Sequence, residues 1–351
     1  NAPMLSRIGT LIVLSSLPVL ADAQLPLQLA ETVDNSVDGP NALRLADLNR
    51  DGKLDVVIAA GPDGTAGSIS YRPFNPSTSD WAAAVIIDGS FPLALDLAVG
   101  DLGRDGDLDV VAVSASGDEL AWWENSAGNG SAWVGRTILS GAAMDGASGI
   151  EIGDIDGDGA PDLVVAISNQ DVIRWVQNDG DPTDGGWTGF VINAASFDDP
   201  IGLSLADLNQ DGKLDVVASG DDGDAVAWWA NDGSPGDGIG GDGTSWTFNS
   251  VASGFNRARD VVAGDFDLDG DIDLAGAARF DDELAWWENT AGNGSSWFKR
   301  SIGTLDGAER LQAVDLDFDG DLDVFASGSD GGEVAWWERT PGGWTRHDID
   351  N

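Results

Sequence analysis

Apolar residues in this chain fall in short runs broken by Gly, Asp and Asn, never sustained at the three-to-four-residue spacing of a helix face. One stretch shows the rhythm. Gly149 to Gly153 leads into an acidic loop, Asp162 to Ile167 is a Val-rich run, Val172 to Gln177 is a second run, and Trp187 to Ile192 is a third. These predict four short strands joined by turns. The succession occurs six times, with acidic loops opening at Asp47, Asp101, Asp154, Asp207, Asp265 and Asp315, at spacings of 54, 53, 53, 58 and 50 residues. Four strands per repeat of that length predict an all-β propeller of four-stranded antiparallel blades.

Tryptophan marks the same phase. All 15 fall in two slots of the repeat. The last strand of each unit is expected to begin at Trp81, Trp133, Trp187, Trp246, Trp297 or Trp344. The third carries Trp122-Trp123, Trp228-Trp229, Trp286-Trp287 and Trp336-Trp337, with Trp175 alone in unit three and Tyr71 in the first place of unit one. Neighbours on a strand point to opposite faces, so a Trp pair demands burial on both, as between adjacent blades. Six blades fill the chain, with seven left open, because Leu25 to Val33 reads as the closing strand of a unit whose other strands are missing. That strand is either a fifth edge strand or the sign of a further unit beyond Asn351.

Residues 1–23 read as a secretion signal with translation starting at Met4: Arg7, an apolar run from Ile8 to Leu20, then Ala21-Asp22-Ala23 before Gln24. Residues 24–351 are then a single propeller, secreted or held in the periplasm or at the surface of a bacterium, with no membrane insertion expected. No cysteine is present, so thiolate metal sites and thiol catalysis are excluded and disulfides do not hold the fold. The 61 acidic residues against 17 basic ones give a net charge of −44, which argues against nucleic acid as a partner and makes cations natural ones.

Much of that acidity stands in register. Each repeat carries a nine-residue loop with oxygen-bearing residues at places 1, 3, 5 and 9 and Gly at place 6. Loop one offers Asp47, Asn49, Asp51 and Asp55, with the carbonyl of Lys53 at place 7. Loop two offers Asp101, Asp105 and Asp109 with the carbonyl of Asp107, Gly103 leaving place 3 empty. Loop three offers Asp154, Asp156, Asp158 and Asp162 with Ala160, and loop four Asp207, Asn209, Asp211 and Asp215 with Lys213. Loop five offers Asp265, Asp267, Asp269 and Asp273 with Asp271, and loop six Asp315, Asp317, Asp319 and Asp323 with Asp321. Calcium takes six to eight oxygens, and such a loop can wrap it, the place-6 Gly allowing the sharp turn. About six calcium ions, one per repeat, are expected. An EF-hand is excluded, since place 12 holds Ile58, Ala112, Val165, Ala218, Gly276 or Ala326 instead of a bidentate Glu.

This loop, with the Trp-Trp-Glu-Asn strands at Trp122 to Asn125 and Trp286 to Asn289, closely resembles the FG-GAP repeats of bacterial VCBS-type exported proteins and integrin alpha-chain propellers. The resemblance covers nearly the whole chain after the signal. It implies a propeller with one calcium loop between the first and second strands of each blade, and Gly103 makes loop two the weakest site.

Catalytic parts are scarce. The lone His347 lies on the closing strand of the last unit, in a slot filled elsewhere by Arg136 or Arg300, and the lone Tyr71 sits in a core slot. No nucleophile-base pair or nucleotide loop is visible, so the chain is expected to be no enzyme and to have no catalytic residues. The expected function is a binding, adhesion or scaffold module with structural calcium. A lectin-like glycan binder is the alternative, and a polysaccharide lyase ranks behind both. A glycan or protein ligand would use the face opposite the calcium loops, where Asp118, Asp222, Asp224, Asp281, Asp282 and Asp330 gather and Arg257, Arg259, Glu309 and Arg310 mark one sector.

Overall fold

Six four-stranded antiparallel sheets follow one another along the chain, each with its strands neighbouring in sequence order. The structure, a computed structural model, describes residues 39–61, 67–75, 77, 80–192, 197–231 and 246–349, with the backbone of 12–13 and 31–32. The expected signal and the Leu25 to Val33 strand lie outside the described residues, apart from a pairing of Ile12–Val13 with Glu31–Thr32. Among the described residues no helix is long and apolar enough to cross a membrane.

Blade 1 comprises Pro40–Ala46, Asp55–Ala60, Ser68–Arg72 and Val85–Asp88. Blade 2 comprises Ala94–Gly100, Asp109–Ser114, Glu119–Glu124 and Val134–Ser140. Blade 3 comprises Ala147–Gly153, Asp162–Ile167, Val172–Gln177 and Thr188–Val191. Pro200–Ala206, Asp215–Gly220, Ala225–Asn231 and Trp246–Ser253 form blade 4. Ala258–Gly264, Asp273–Ala278, Glu283–Asn289 and Trp297–Thr304 form blade 5. Ala308–Val314, Asp323–Gly328, Glu333–Thr340 and Gly343–Asp348 form blade 6. The first strands of consecutive blades pack on one another, which makes them the innermost. The protein is a six-bladed propeller.

Burial explains the sequence pattern. Every residue of the second strand is buried in blades 1 to 5, so these strands read as continuous apolar runs. Tryptophan pairs are shared between neighbours. Trp123 packs into the core between blades 1 and 2, and Trp122 into the core between blades 2 and 3. Trp229 and Trp228 divide in the same way, as do Trp287 and Trp286. Trp81 departs from its expected place. It pairs in a small hairpin, Phe74–Asn75 with Asp80–Trp81, and packs edge-on to Phe74, so the outer strand of blade 1 begins at Val85 instead.

Five interfaces between blades have a full apolar core, and the sixth, between blades 6 and 1, is thinner among the described residues. Val56, Ile58 and Ala60 with Leu43 and Trp81 form a small cluster drawn from blade 1 alone. Leu45 and Leu54 of blade 1 are 38% and 42% exposed, and Val314, at the end of the first strand of blade 6, is 39% exposed. Trp336, the blade-6 member of the series, is covered by His347 stacked on it at 4.3 Å, with His347 Nε2 and Glu338 2.7 Å apart. His347 therefore fills the slot in which Arg136 covers Trp122 and Arg300 covers Trp286.

Candidate metal centres

All six acidic loops lie at one end of the propeller, between the first and second strands. Their backbones are fixed by their own carboxylates. The place-1 Asp accepts from the place-6 Gly in every copy, at 2.8 Å for Asp47 and Gly52 and 2.9 Å for Asp101 and Gly106. The place-5 Asp accepts from the place-7 N–H, as Asp51 does from Lys53 and Asp269 from Asp271, both at 2.9 Å. Glycine is required at place 6, where φ runs from +81° at Gly52 to +100° at Gly320. Place 4 is also left-handed, although Arg50, Arg104, Gln210, Leu268 and Phe318 occupy it in five loops. Side chains there reach the next loop: Arg50 pairs with Asp107, and Gln210 Nε2 donates to Asp271 Oδ1 at 2.5 Å.

Place 9 behaves differently from the other three. Asp55, Asp109, Asp162, Asp215, Asp273 and Asp323 are at most 2% exposed. One oxygen accepts a backbone N–H from place 2, or from Gly103 in loop two, and the other accepts from the N–H at the end of the third strand. That second donor is Phe74, Asn125, Asn178, Asn231, Asn289 or Arg339 in blade order. Burial pushes Asp55, Asp162 and Asp273 up to about 7 and Asp109, Asp215 and Asp323 up to about 6, against the opposing pull of these N–H groups.

Four of those third-strand residues are asparagines that do a second job. Nδ2 of Asn125, Asn178, Asn231 and Asn289 donates to the place-2 carbonyl of the preceding blade's loop, at 3.0, 3.3, 2.8 and 3.2 Å. In blade 6, Arg339 Nε makes the equivalent bond to Phe266 O at 3.0 Å. Each loop from one to five is thus latched by the following blade. Blade 1 has Phe74 in this slot, whose side chain has no donor, so this position gives loop six no equivalent bond. No local pattern marks these asparagines as latches, although each stands a fixed 16 residues after the place-9 Asp.

The predicted ligands converge unequally. Carboxylate oxygens lie within 4.8 Å of one another in Asp154, Asp156 and Asp162, in Asp265, Asp267 and Asp269, and in Asp315, Asp317 and Asp319. These are the loops with four carboxylates at places 1, 3, 5 and 9. Each also holds a buried carboxylate oxygen without a hydrogen-bond partner: Oδ1 of Asp154, of Asp267 and of Asp315. Buried, unpartnered oxygens among like charges are costly without a cation, so the donor set fits a hard metal ion. Loops one, two and four bring no three carboxylates together in this way among the described residues. In loop one Asn49 Nδ2 donates to Asp55, and in loop four Asn209 Nδ2 and Lys213 Nζ both approach Asp211 at 3.3 Å.

At the opposite end the arginines of the unlike sector are already engaged. Asp221, 4% exposed, takes Arg257 at 2.8 Å and Arg259 at 3.0 Å, and Arg259 continues to Glu309. Arg279 pairs with Asp330 at 2.6 Å and lies 3.8 Å from Glu309, so the chain of ion pairs crosses blades 4, 5 and 6. Beside it an acidic hollow of about 400 Å³ is lined by Asp171, Asp198, Asp199 and Asp222, and burial with the nearby Asp221 and Asp222 pushes Asp199 up to about 6.

The sequence profile of the FG-GAP-like repeat matches residues 101–165, 154–218, 207–276 and 265–326, each match running from one acidic loop through the next. A search of curated proteins gives no match. Among solved structures, the fold is shared with a candidate 6-phosphogluconolactonase from Bacteroides fragilis, 14% identical, at TM-score 0.60 over 92% of this chain and 85% of that one. A second, from Bacteroides uniformis, is 12% identical at TM-score 0.56 over 91% and 87%. The SapL1 lectin in complex with alpha methyl fucoside is 13% identical at TM-score 0.50 over 89% and 96%.

Proposed function

The chain belongs to the FG-GAP-like repeat family, and from that premise we propose that it is an exported, non-catalytic binding module whose rim loops hold calcium. The observation that carries this is the coincidence in loops three, five and six of a carboxylate triad with an unpartnered buried oxygen. Calcium, bound there, neutralises carboxylates that the fold forces together. The side chains at places 1, 3 and 5 in loops five and six, and at places 1, 3 and 9 in loop three, would hold it with the place-7 carbonyl, while the place-9 Asp also fixes each loop to the strands on either side. In a chain without cysteine, cation binding to the folded state alone supplies the cross-link that disulfides provide elsewhere.

Export is favoured by the order Arg7, apolar run, Ala21-Asp22-Ala23. A binding role is favoured over catalysis because the only histidine is committed to Trp336 and Glu338. Titrating the chelator-treated protein with calcium while following both bound metal and melting temperature tests the reading. Several calcium ions bound with a large rise in melting temperature are expected. Absence of bound calcium with an unchanged melting curve would defeat it.

A further inference from the structure

Among the blades that carry a latch residue, the turn after the third strand is shortest in blade 6. From the latch residue to the Trp near the start of the outer strand there are eight positions in blade 2 (Asn125 to Trp133) and blade 5 (Asn289 to Trp297), but five in blade 6 (Arg339 to Trp344). In the longer turns a glycine lies flat on the first aromatic residue of the preceding blade. Gly130 lies on Tyr71 and Gly294 on Trp228, so closely that a Cβ at either place would collide with the ring. The latch Asn orders that turn by accepting from Gly130 N or Gly294 N, both at 2.9 Å. Blade 6 has no room for this cover. Its turn closes early, with Thr340 Oγ1 donating to Gly343 O at 2.9 Å.

A cavity of about 370 Å³ stands where the turn would be, between the rims of blades 5 and 6. Trp286, Trp344, Arg339, Arg300, Ser301 and Asp267 line it. Two guanidinium groups, of Arg300 and Arg339, lie over the Trp286 ring, each 5.6 Å from its centre, and Arg339 is also 5.3 Å from that of Trp344. Arg300 is paired with Glu288. Arg339 bonds only to carbonyls, Phe266 O through Nε and Thr340 O through Nη1, and enters no ion pair among the described residues. Replacing the latch Asn by Arg thus keeps the latch and adds a charge that no salt bridge holds among the described residues, its field reaching Asp321. Trp344 Nε1 is buried without a partner, whereas the matching indoles of blades 2 and 3 donate to turn carbonyls, Trp133 to Gly130 O and Trp187 to Pro182 O. Trp246 Nε1 and Trp297 Nε1 share that orphaned state, Trp297 beneath an eight-position turn.

We propose that this cavity binds a hexuronate unit of an acidic polysaccharide, its carboxylate on Arg339. The assignment deepens the binding-module reading and rests on it. A carboxylate supplies the acceptors that the Arg339 guanidinium lacks, and this cation locally offsets the repulsion that a chain of net charge −44 exerts on an anion. The cavity sits at the small end of ligand sites and takes a single sugar ring, for which the indole edges and Ser301 provide apolar and hydroxyl-binding surface.

Calorimetric titration of the full chain in calcium with D-galacturonate, methyl glucoside and acetate tests the proposal, alongside Arg339→Asn. That variant restores the latch residue of blades 2 to 5 and is expected to keep the parent's calcium-dependent melting. Galacturonate should bind, methyl glucoside and acetate should bind far more weakly, and Arg339→Asn should weaken galacturonate at least about tenfold. Equal binding of galacturonate by parent and variant overturns the assignment, as does equal binding of acetate or methyl glucoside. If galacturonate does not bind the parent at millimolar concentration the assignment falls too, while retained calcium-dependent melting would leave the calcium module standing.

Discussion

Asn289 on the third strand of blade 5 donates from Nδ2 to the carbonyl of Leu208, in the loop of blade 4, across 3.2 Å. The same side chain bonds Ile272 O at 3.2 Å and accepts from Gly294 N at 2.9 Å, so one residue ties two loops and a turn. Asn289→Ala leaves those buried groups unanswered and should cost about 1–3 kcal/mol. Urea unfolding of the calcium-loaded protein measures this. A variant as stable as the parent would show the latch to be ornamental.

Loss of a ligand should be felt according to how complete the loop is. Asp265→Asn in loop five removes the place-1 carboxylate of an assembled triad and should lower the number of bound calcium ions by one. Asp101→Asn in loop two, already without a place-3 side chain, should change the count least. Equilibrium dialysis of both variants against the parent separates these outcomes, and equal losses would contradict the ranking.

Metal-stripped protein should respond to pH in an unusual sense for an acidic chain. Burial raises the place-9 carboxyls to about 6 or 7 in the folded state, above the unfolded value near 4. The folded form therefore holds more protons between the two values, and its stability falls as pH climbs from about 4 to about 7. Melting temperature in excess chelator should drop across that window, and added calcium should flatten the slope. A chelated protein that grew more stable through the window would refute the account.

Arg259 bridges Asp221 and Glu309, and is itself only 13% exposed in its side chain. Arg259→Met leaves a nearly inaccessible Asp221 with one partner fewer and Glu309 with Ser329 Oγ and the distant Arg279, a loss of about 3–5 kcal/mol for a broken buried pair. Denaturant midpoints of Arg259→Met and of the double change Arg259→Met with Glu309→Gln should differ, the second recovering part of the loss. No recovery would mean that the chain of ion pairs is not coupled.

The blade architecture was legible because the strongest signals are periodic: Asp at places 1, 5 and 9 and paired Trp both report a phase that burial enforces. Unit three was read to within two residues at every strand end. What escaped were features that depend on a neighbour distant in sequence. The latch connects residues about 76 positions apart, as Asn231 does with Ile155 O, and no local pattern reveals it. Trp81 misled because its spacing suits an outer strand while Phe74 offers it a closer partner. Likewise the arginines of the opposite face looked available in sequence, and only the fold shows Arg257 and Arg259 spent on Asp221.

Every latch runs backward, from one repeat to the loop of the repeat before it. A duplicated repeat would therefore arrive with half of two joints: its loop is finished by the asparagine that follows, and its own asparagine finishes the loop it now succeeds. Such a copy fits between two latched blades with the same bonds on either side. Heredity can lengthen this ring one blade at a time, and the burden of each addition falls on the angle at which the circle shuts.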